Sequence, residues 1–470
     1  MTEPEAAQRL RDLDAAIAGR ADNADLRHMR GAVLAQEGRD DEARQDFLAA
    51  ITLDPAHFGA LNDLATLLHR TDFRTAARLA YAEAVRHHPD NPIGRINLAN
   101  ALLANDELDE ARAHYEAALS FSPDHPDAHQ GFANLLQHAG DWDRAEAHRQ
   151  ESYRARALTV LPYRGTGEPC RVLLLVSGVG GNVPTRFVLD ETLFAVTVLV
   201  VEAYRTGDPL PPHAVVFNAV GDADICGAAL DAAEMVLAAT DAPVINRPDR
   251  VRRTGRADNA AALAGLEGVR APRVVTARRA EVPTAAAAFG YPLLLRSPGY
   301  HTGRYFRKVE GPGDLAAALD AIPGDPLLLI EWLDARDAFG HARKYRVMMI
   351  GGALFPLHLA VSSDWKVHYF TADMAERADH RQEEMAFLAD MAGVLGPVAM
   401  AALGHICAAL DLDYAGIDFG LAPDGRLLLF EANATMVVNP PGPEPIWDYR
   451  REPVRRILEA AQAAVRNRIS

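Results

Sequence analysis

One interval, 34 residues long, recurs through the first third of the chain. It separates Pro55, Pro89 and Pro123; Gly31, Ala65, Ala99 and Ala133; Leu34, Leu68, Leu102 and Leu136; and Ala43, Ala77, Ala111 and Ala145. Phe47, Tyr81 and Tyr115 follow it, as do Ala50, Ala84 and Ala118. A small residue at two fixed points lets paired helices approach closely, and an aromatic ring fills the gap between pairs. A proline begins the next helix where its missing N–H costs nothing. Such units bury their apolar faces only by stacking, so residues 1–156 are expected to form an all-α solenoid.

These phased positions resemble the tetratricopeptide repeat family. The resemblance implies a concave surface that takes a peptide or protein partner. Asn62, Asn97, Asn100 and Asn134 fall on the expected first helices, where their amides would hydrogen-bond a ligand backbone or serve only as solvated or capping groups. The array could instead pack on its own C-terminal part or form a homodimer.

At 470 residues the chain exceeds one ordinary core, and 49% hydrophobic with 24% charged residues suits a globular multidomain protein. A net charge of −16 repels nucleic acid and anionic membrane, so phosphate binding requires a local basic pocket. Cys170, Cys226 and Cys407 lack metal-ligand spacing. The N-terminus lacks a basic stretch followed by an apolar run, and apolar stretches such as Leu193–Val201 fall short of a membrane span. A cytoplasmic location is expected.

Beyond a linker at 157–169, containing Pro162, Gly165, Gly167 and Pro169, short apolar runs alternate with helical stretches. Residues 170–245 read as a small α/β domain. Its glycine-rich turn Ser177–Asn182 lacks the phosphate-loop lysine and does not match GxGxxG; a substrate-contacting turn that presents Asn182 is the better reading.

Asp413–Leu421 and Arg426–Ala434 read as an antiparallel hairpin about Ala422–Gly425. Pairing Leu421 with Arg426 would set Asp418 opposite Leu429, with Asp418, Glu431 and Asn433 on one face. Two carboxylates and an amide oxygen there suit Mg²⁺ bridging nucleotide phosphates, since like charges otherwise raise each other's energy. Upstream, Leu293–Arg296 is a strand followed by a turn containing His301, Thr302 and Gly303, then a strand bearing Lys308. Arg296 and Lys308 flank this turn, which could close over a triphosphate. Leu327–Leu333 ends in a polar hinge, Glu331–Trp332–Leu333, whose backbone could hold adenine. Lys344 and Arg346 open the next strand.

This order resembles the ATP-grasp superfamily, over roughly residues 170–470, with the ATP-grasp domain at 246–470 and a lid subdomain at about 283–334. The resemblance implies an α+β fold, ATP and Mg²⁺ as cofactors, and a carboxylate–amine ligase working through an acyl phosphate. Asp418, Glu431 and Asn433 would be metal ligands; Arg346, with Lys344, would be catalytic. Arg256 and Arg296 stand where the family usually has ATP-binding lysines, which keeps the charge but replaces a point ammonium with a planar fork. Substrate contacts are expected from Asn182, His358, Ser362, Lys366, His368 and Asn439, toward a small carboxylate or amine. The alternatives are a repeat adaptor with a regulatory or degenerate ATP-binding domain, and a phosphotransferase.

Overall fold

In a computed structural model the chain divides into two compact units, Met1–Arg156 and Ala157–Ser470. The structure describes residues 3–71, 73–299, 305–337, 339–367, 369 and 372–469, so His301, Thr302, Gly303 and His368 lie outside the described residues.

The first unit is a run of helices: α1 (Glu3–Gly19), α2 (Ala24–Gln36), α3 (Asp40–Leu53), α4 (Phe58–Arg70), α5 (Arg74–His87), α6 (Pro92–Ala104), α7 (Leu108–Phe121), α8 (Pro126–His138) and α9 (Trp142–Arg156). The phased alanines sit where neighbouring helices touch: Ala43, Ala65, Ala77, Ala99, Ala111, Ala133 and Ala145 are wholly buried. A Cβ on Gly131 would stand 2.4 Å from the Tyr115 ring, so the small residue is required there. The phased prolines do not begin helices as expected. Pro55, Pro89 and Pro123 lie in turns closed by bonds such as His57 N–H to Asp54 C=O (3.0 Å), whereas Pro92 and Pro126 open α6 and α8. Proline's fixed φ suits the second position of a turn as well as a helix start.

The second unit has three sheets. In the first, β1 (Leu158–Val160), β2 (Cys170–Val176), β3 (Phe194–Val200), β4 (Val215–Asn218) and β5 (Val244–Ile245) run in the order β1-β3-β2-β4-β5. All pairs are parallel except β1 with β3. β1 therefore occupies part of the stretch expected to be linker. α10 (Gly227–Leu237) joins β4 to β5, and α11 (Pro248–Val251) and α12 (Arg256–Leu263) lead to the short β6 (Val269–Arg270).

An antiparallel four-stranded sheet follows: β7 (Val274–Ala277), β8 (Leu293–Arg296), β9 (Phe306–Val309) and β10 (Leu327–Glu331), ordered β7-β10-β8-β9. It packs on α13 (Val282–Phe289) and α14 (Leu315–Asp320) through a core including Val282, Leu293, Leu295 and Leu329. The third sheet contains β11 (Ala342–Ile350), β12 (Ala353–Ser362), β13 (Tyr414–Leu421) and β14 (Leu427–Asn433), ordered β12-β11-β13-β14-β6. α15 (Ala378–Ala389), α16 (Met391–Leu410) and α17 (Arg451–Asn467) complete the unit. α17 buries Val454, Ile457, Ala461 and Val465 in a core shared by the first and third sheets, including Phe217, Met348 and Tyr414.

By length and composition α16 is apolar enough to cross a membrane, which corrects the expectation that no stretch approaches a span. Its helical geometry breaks at Gly396 (φ 74°), and Leu395, Ala399, Ala402, Leu403 and Ile406 are buried in the core.

Candidate functional site

The hairpin of β13 and β14 sets the site. Its turn is longer than expected: Ala422 N–H reaches Arg426 C=O (2.9 Å), so Leu421 pairs with Leu427 rather than Arg426. A bulge between Asp418 and Phe419 then leaves Phe430 as an extra residue, and Asp418 lies directly opposite Glu431 instead of Leu429. The two acids share a face, but by a register that simple alternation does not reveal.

Asp418 is 3% exposed. On the neighbouring β11, Arg346 pairs directly with Asp418, donating Nε to Oδ1 (2.5 Å) and Nη2 to Oδ2 (2.8 Å). Lys344, two residues away on the same face, reaches Oδ2 at 3.1 Å. Burial alone would push the Asp418 carboxyl up, but Arg346 and then Lys344 outweigh it and hold the group well below the usual carboxylate range. Across the hairpin, Arg256 Nη2 meets Glu431 Oε1 at 2.5 Å. Burial opposes ionisation of Glu431 too, and Arg256 and Arg296 bring it below its ordinary value. Burial, aided by Arg256, lowers Arg296 to about 10, which leaves it charged at neutral pH. In the basic run 250–256, Arg250 and Arg252 pair outward with Asp411 and Asp231, whereas Arg256 turns in. Asp224 accepts the Arg256 N–H (2.9 Å) and fixes the start of α12.

Asn433 donates Nδ2 to Glu431 (2.8 Å), while its Oδ1 accepts the N–H and hydroxyl of Thr435 (3.0 and 2.9 Å). Among the described residues no group of three or more His, Cys, Asp or Glu side chains could hold a metal ion. The donor chemistry of two opposed carboxylates nevertheless fits a hard divalent cation that takes further oxygens from a ligand.

These groups border a cavity of about 570 Å³. Arg256, Arg296, Lys344, Arg346, Lys366, Asn182, Glu331, Trp332, Leu333, Asp418, Glu431 and Asn439 line it, and Asn433 lines a smaller recess shared with Arg256 and Glu431. Arginines and lysines outnumber carboxylates on the wall, so the cavity attracts anions although the chain is acidic. Phe306, Trp332 and Trp365 form an aromatic wall: Trp365 meets Trp332 edge-on at 5.4 Å and Phe306 at 5.7 Å. The Glu331 carboxylate is committed to Arg270 (2.6 Å) and the Arg273 N–H (2.9 Å). Glu331 N–H is bonded to Arg273 C=O, whereas Trp332 and Leu333 N–H make no backbone bond among the described residues.

Several expected site residues lie elsewhere. Lys308 does not line the cavity: its ammonium sits 4.0 Å from the centre of the Trp332 ring and pairs with Glu310 (2.9 Å), so it braces the aromatic wall. Ser362 is buried at the end of β12, where its hydroxyl accepts the Asp364 N–H. His358 is buried behind Arg346, its register partner, and burial followed by Arg346 lowers its pKa far below the ordinary value, so it is neutral. Asn182 lines the cavity, but its amide is used within the glycine-rich turn, bonded to Ser177 N–H and C=O (2.7 Å each). Glu202 caps Gly178 N–H and the Ser177 hydroxyl, so an internal carboxylate occupies part of that turn's anion-binding capacity.

Two buried asparagines escaped sequence reasoning. Asn246, at φ 57°, accepts the N–H groups of Asp413 and Tyr414 and donates to Tyr414 C=O, tying β5 to the start of β13. Asn259 on α12 donates to Ala432 C=O. Their only sequence signal is an amide within an otherwise apolar or helical stretch.

In the repeat unit, Asn97 donates to Asn62 Oδ1 (2.7 Å), bridging consecutive repeats. Tyr115 donates to Asn100 Oδ1 (2.5 Å) and Gln130 to Asn134 Oδ1 (3.2 Å). Asn100 and Asn134 are exposed.

Residues 24–57 and 107–148 each match the tetratricopeptide repeat. The N-terminal unit is a tetratricopeptide-repeat solenoid. A mixed α/β region follows it. The chain is also similar to MamA of Desulfovibrio magneticus RS-1, at 19% identity over 32% of this chain and 87% of that one (TM-score 0.30). YrrB, described as a TPR protein with an unusual peptide-binding site, is 19% identical over 33% and 79% (TM-score 0.29). Pseudomonas aeruginosa pilF is 20% identical over 31% and 67% (TM-score 0.29). No curated protein matches the chain.

Proposed function

We propose that residues 157–470 form an ATP- and Mg²⁺-dependent carboxylate–amine ligase and that the repeat unit recruits a peptide or protein substrate. One observation carries this reading: Asp418 and Glu431 face each other among Arg256, Arg346 and Lys344, in a cavity that also has an aromatic wall. When bound, ATP supplies the phosphoryl group that turns a carboxylate into an acyl phosphate, which an amine then opens with release of phosphate. The wall of Phe306, Ile330, Trp332 and Leu333 holds the purine, with the backbone of Trp332 and Leu333 facing its edge. Arg256 and Arg296 neutralise phosphate charge. Lys344 and Arg346, two residues apart on one strand, reach the oxygens of the transferring group. Asp418 and Glu431 hold Mg²⁺, and Asn433 orients Glu431. Lys366 and Asn439 remain for the second substrate, beside the turn that Asn182 holds in shape. The exposed amides of Asn100 and Asn134 suit the backbone of an extended partner, which supports recruitment. Three free thiols and a nucleotide substrate fit a reducing, cytoplasmic setting.

The test is to mix the protein, Mg²⁺ and ATP with pooled carboxylates and amines, peptides included, and follow ADP and phosphate together. Equal release of both that requires a carboxylate and an amine together supports ligation. ADP without free phosphate shifts the reading to a phosphotransferase, and no nucleotide binding overturns it. A nucleotide-binding adaptor is the second reading, favoured by the internal neutralisation of both carboxylates. Binding of ATP without turnover in any pool would select it.

A further inference from the structure

Before any ligand arrives, the hairpin carboxylates already have cationic partners. Arg346 holds both oxygens of Asp418, Lys344 adds a third contact, and Arg256 holds Glu431. A divalent ion approaching alone meets cations already bonded to both acids. It also has to displace a two-pronged guanidinium from a carboxylate that is 3% exposed, where little water can compensate the guanidinium.

The same three cations line the cavity. A polyphosphate in that space offers them more oxygens, and more negative charge, than the two carboxylates do. Each cation drawn to a phosphate uncovers lone pairs on Asp418 or Glu431. Asn433 behaves consistently with a closed state: its oxygen is satisfied by Thr435, and it presents its N–H to Glu431.

Building on the nucleotide reading above, we infer that the divalent-cation site is created by the anion. Arg256, Lys344 and Arg346 act as a lock on Asp418 and Glu431, pass to the polyphosphate when it enters, and the metal ion then binds the carboxylates they leave. Binding is therefore ordered, anion first and cation second. The lock also keeps the acidic pair from collecting divalent ions in the absence of nucleotide.

The experiment uses the full chain. Mn²⁺ uptake is read from the electron paramagnetic resonance of the free ion, without nucleotide, for wild type, Arg256→Gln and Arg256→Lys. ATP binding is read by calorimetry in EDTA and again with Mg²⁺. The lock predicts that wild type binds ATP in EDTA and takes up Mn²⁺ poorly. Arg256→Gln, which uncovers Glu431, should take up Mn²⁺ more tightly than wild type by about tenfold or more. Arg256→Lys, which keeps the charge, should stay near wild type, so that a gain in Arg256→Gln cannot be assigned to misfolding. Equal Mn²⁺ affinity in wild type and Arg256→Gln overturns the lock, as does ATP binding that appears only with Mg²⁺. Absence of ATP binding under both conditions overturns the nucleotide reading together with the order built on it, and is distinguishable because the Mn²⁺ comparison is made without nucleotide.

Discussion

Arg346 grips Asp418 across adjacent strands by two hydrogen bonds, Nε to Oδ1 at 2.5 Å and Nη2 to Oδ2 at 2.8 Å. Replacing Asp418 with Ala leaves two cations beside a buried hole. Removing one partner of a buried pair costs about 3–5 kcal/mol, so Asp418→Ala should show a clear fall in the denaturant midpoint. The double change Asp418→Ala with Arg346→Met should recover part of that loss. A single-mutant midpoint equal to wild type would show that the pair is not buried in solution.

His358 gives a pH signature. Its folded pKa lies far below the usual His value of about 6.5, so below that pH the unfolded chain binds a proton that the folded chain refuses. Stability contributed by neutral His358 is therefore complete above about pH 6.5 and lost as pH falls, by at most about 1.4 kcal/mol per pH unit. Melting temperatures from pH 7.5 to 5 should drop less steeply for His358→Gln than for wild type, and parallel curves would refute this.

Trp332 is expected to carry purine stacking. Trp332→Ala should weaken ATP binding by about 1–3 kcal/mol, or roughly tenfold to hundredfold, while a metal-free triphosphate lacking the base should be little affected. Calorimetry with ATP and with inorganic tripolyphosphate separates the two.

Gly131→Ala tests helix approach in the repeats. The new methyl would lie 2.4 Å from the ring of the wholly buried Tyr115, which cannot retreat. A loss of about 1–3 kcal/mol is expected in the helical melting transition followed by circular dichroism. Gly140→Ala, at a turn with open space around it but φ 81°, should cost less through backbone strain alone.

Asn246→Gly should keep the left-handed backbone but lose the side chain's buried bonds to Asp413 and Tyr414, whereas Asn246→Ala should lose those bonds and add strain. Both variants should be destabilised, alanine the more so, in equilibrium unfolding.

What could be read in advance follows from what is local. The repeat was legible because its packing requirement returns at one fixed interval, as Ala43, Ala77 and Ala111 show. Alternation about a shorter turn led to the shared face of Asp418 and Glu431; with Leu421 on Leu427, that face and their direct opposition both depend on Phe430 being left unpaired, a choice made by the whole hairpin. Alternation likewise assigns Lys344 and Arg346 to one face without saying that Asp418 already holds them. Trp332 and Trp365 come from distant segments, and only tertiary packing makes them neighbours. The apolar run Met391–Leu410 is hard to recognise as one helix because Gly396 and Pro397 interrupt its periodicity, although the helix resumes beyond them.

The bulge beside Asp418 gives the hairpin one spare residue. Deleting Phe430 would leave Phe419 opposite Leu429 and Asp418 opposite Glu431, now in an uninterrupted ladder. A one-residue loss from this strand before Glu431 can thus be absorbed by closing the bulge, without parting the two acids. The length of the segment is therefore freer to drift than the pairing of its two acids, which should outlast the identity of almost everything around them.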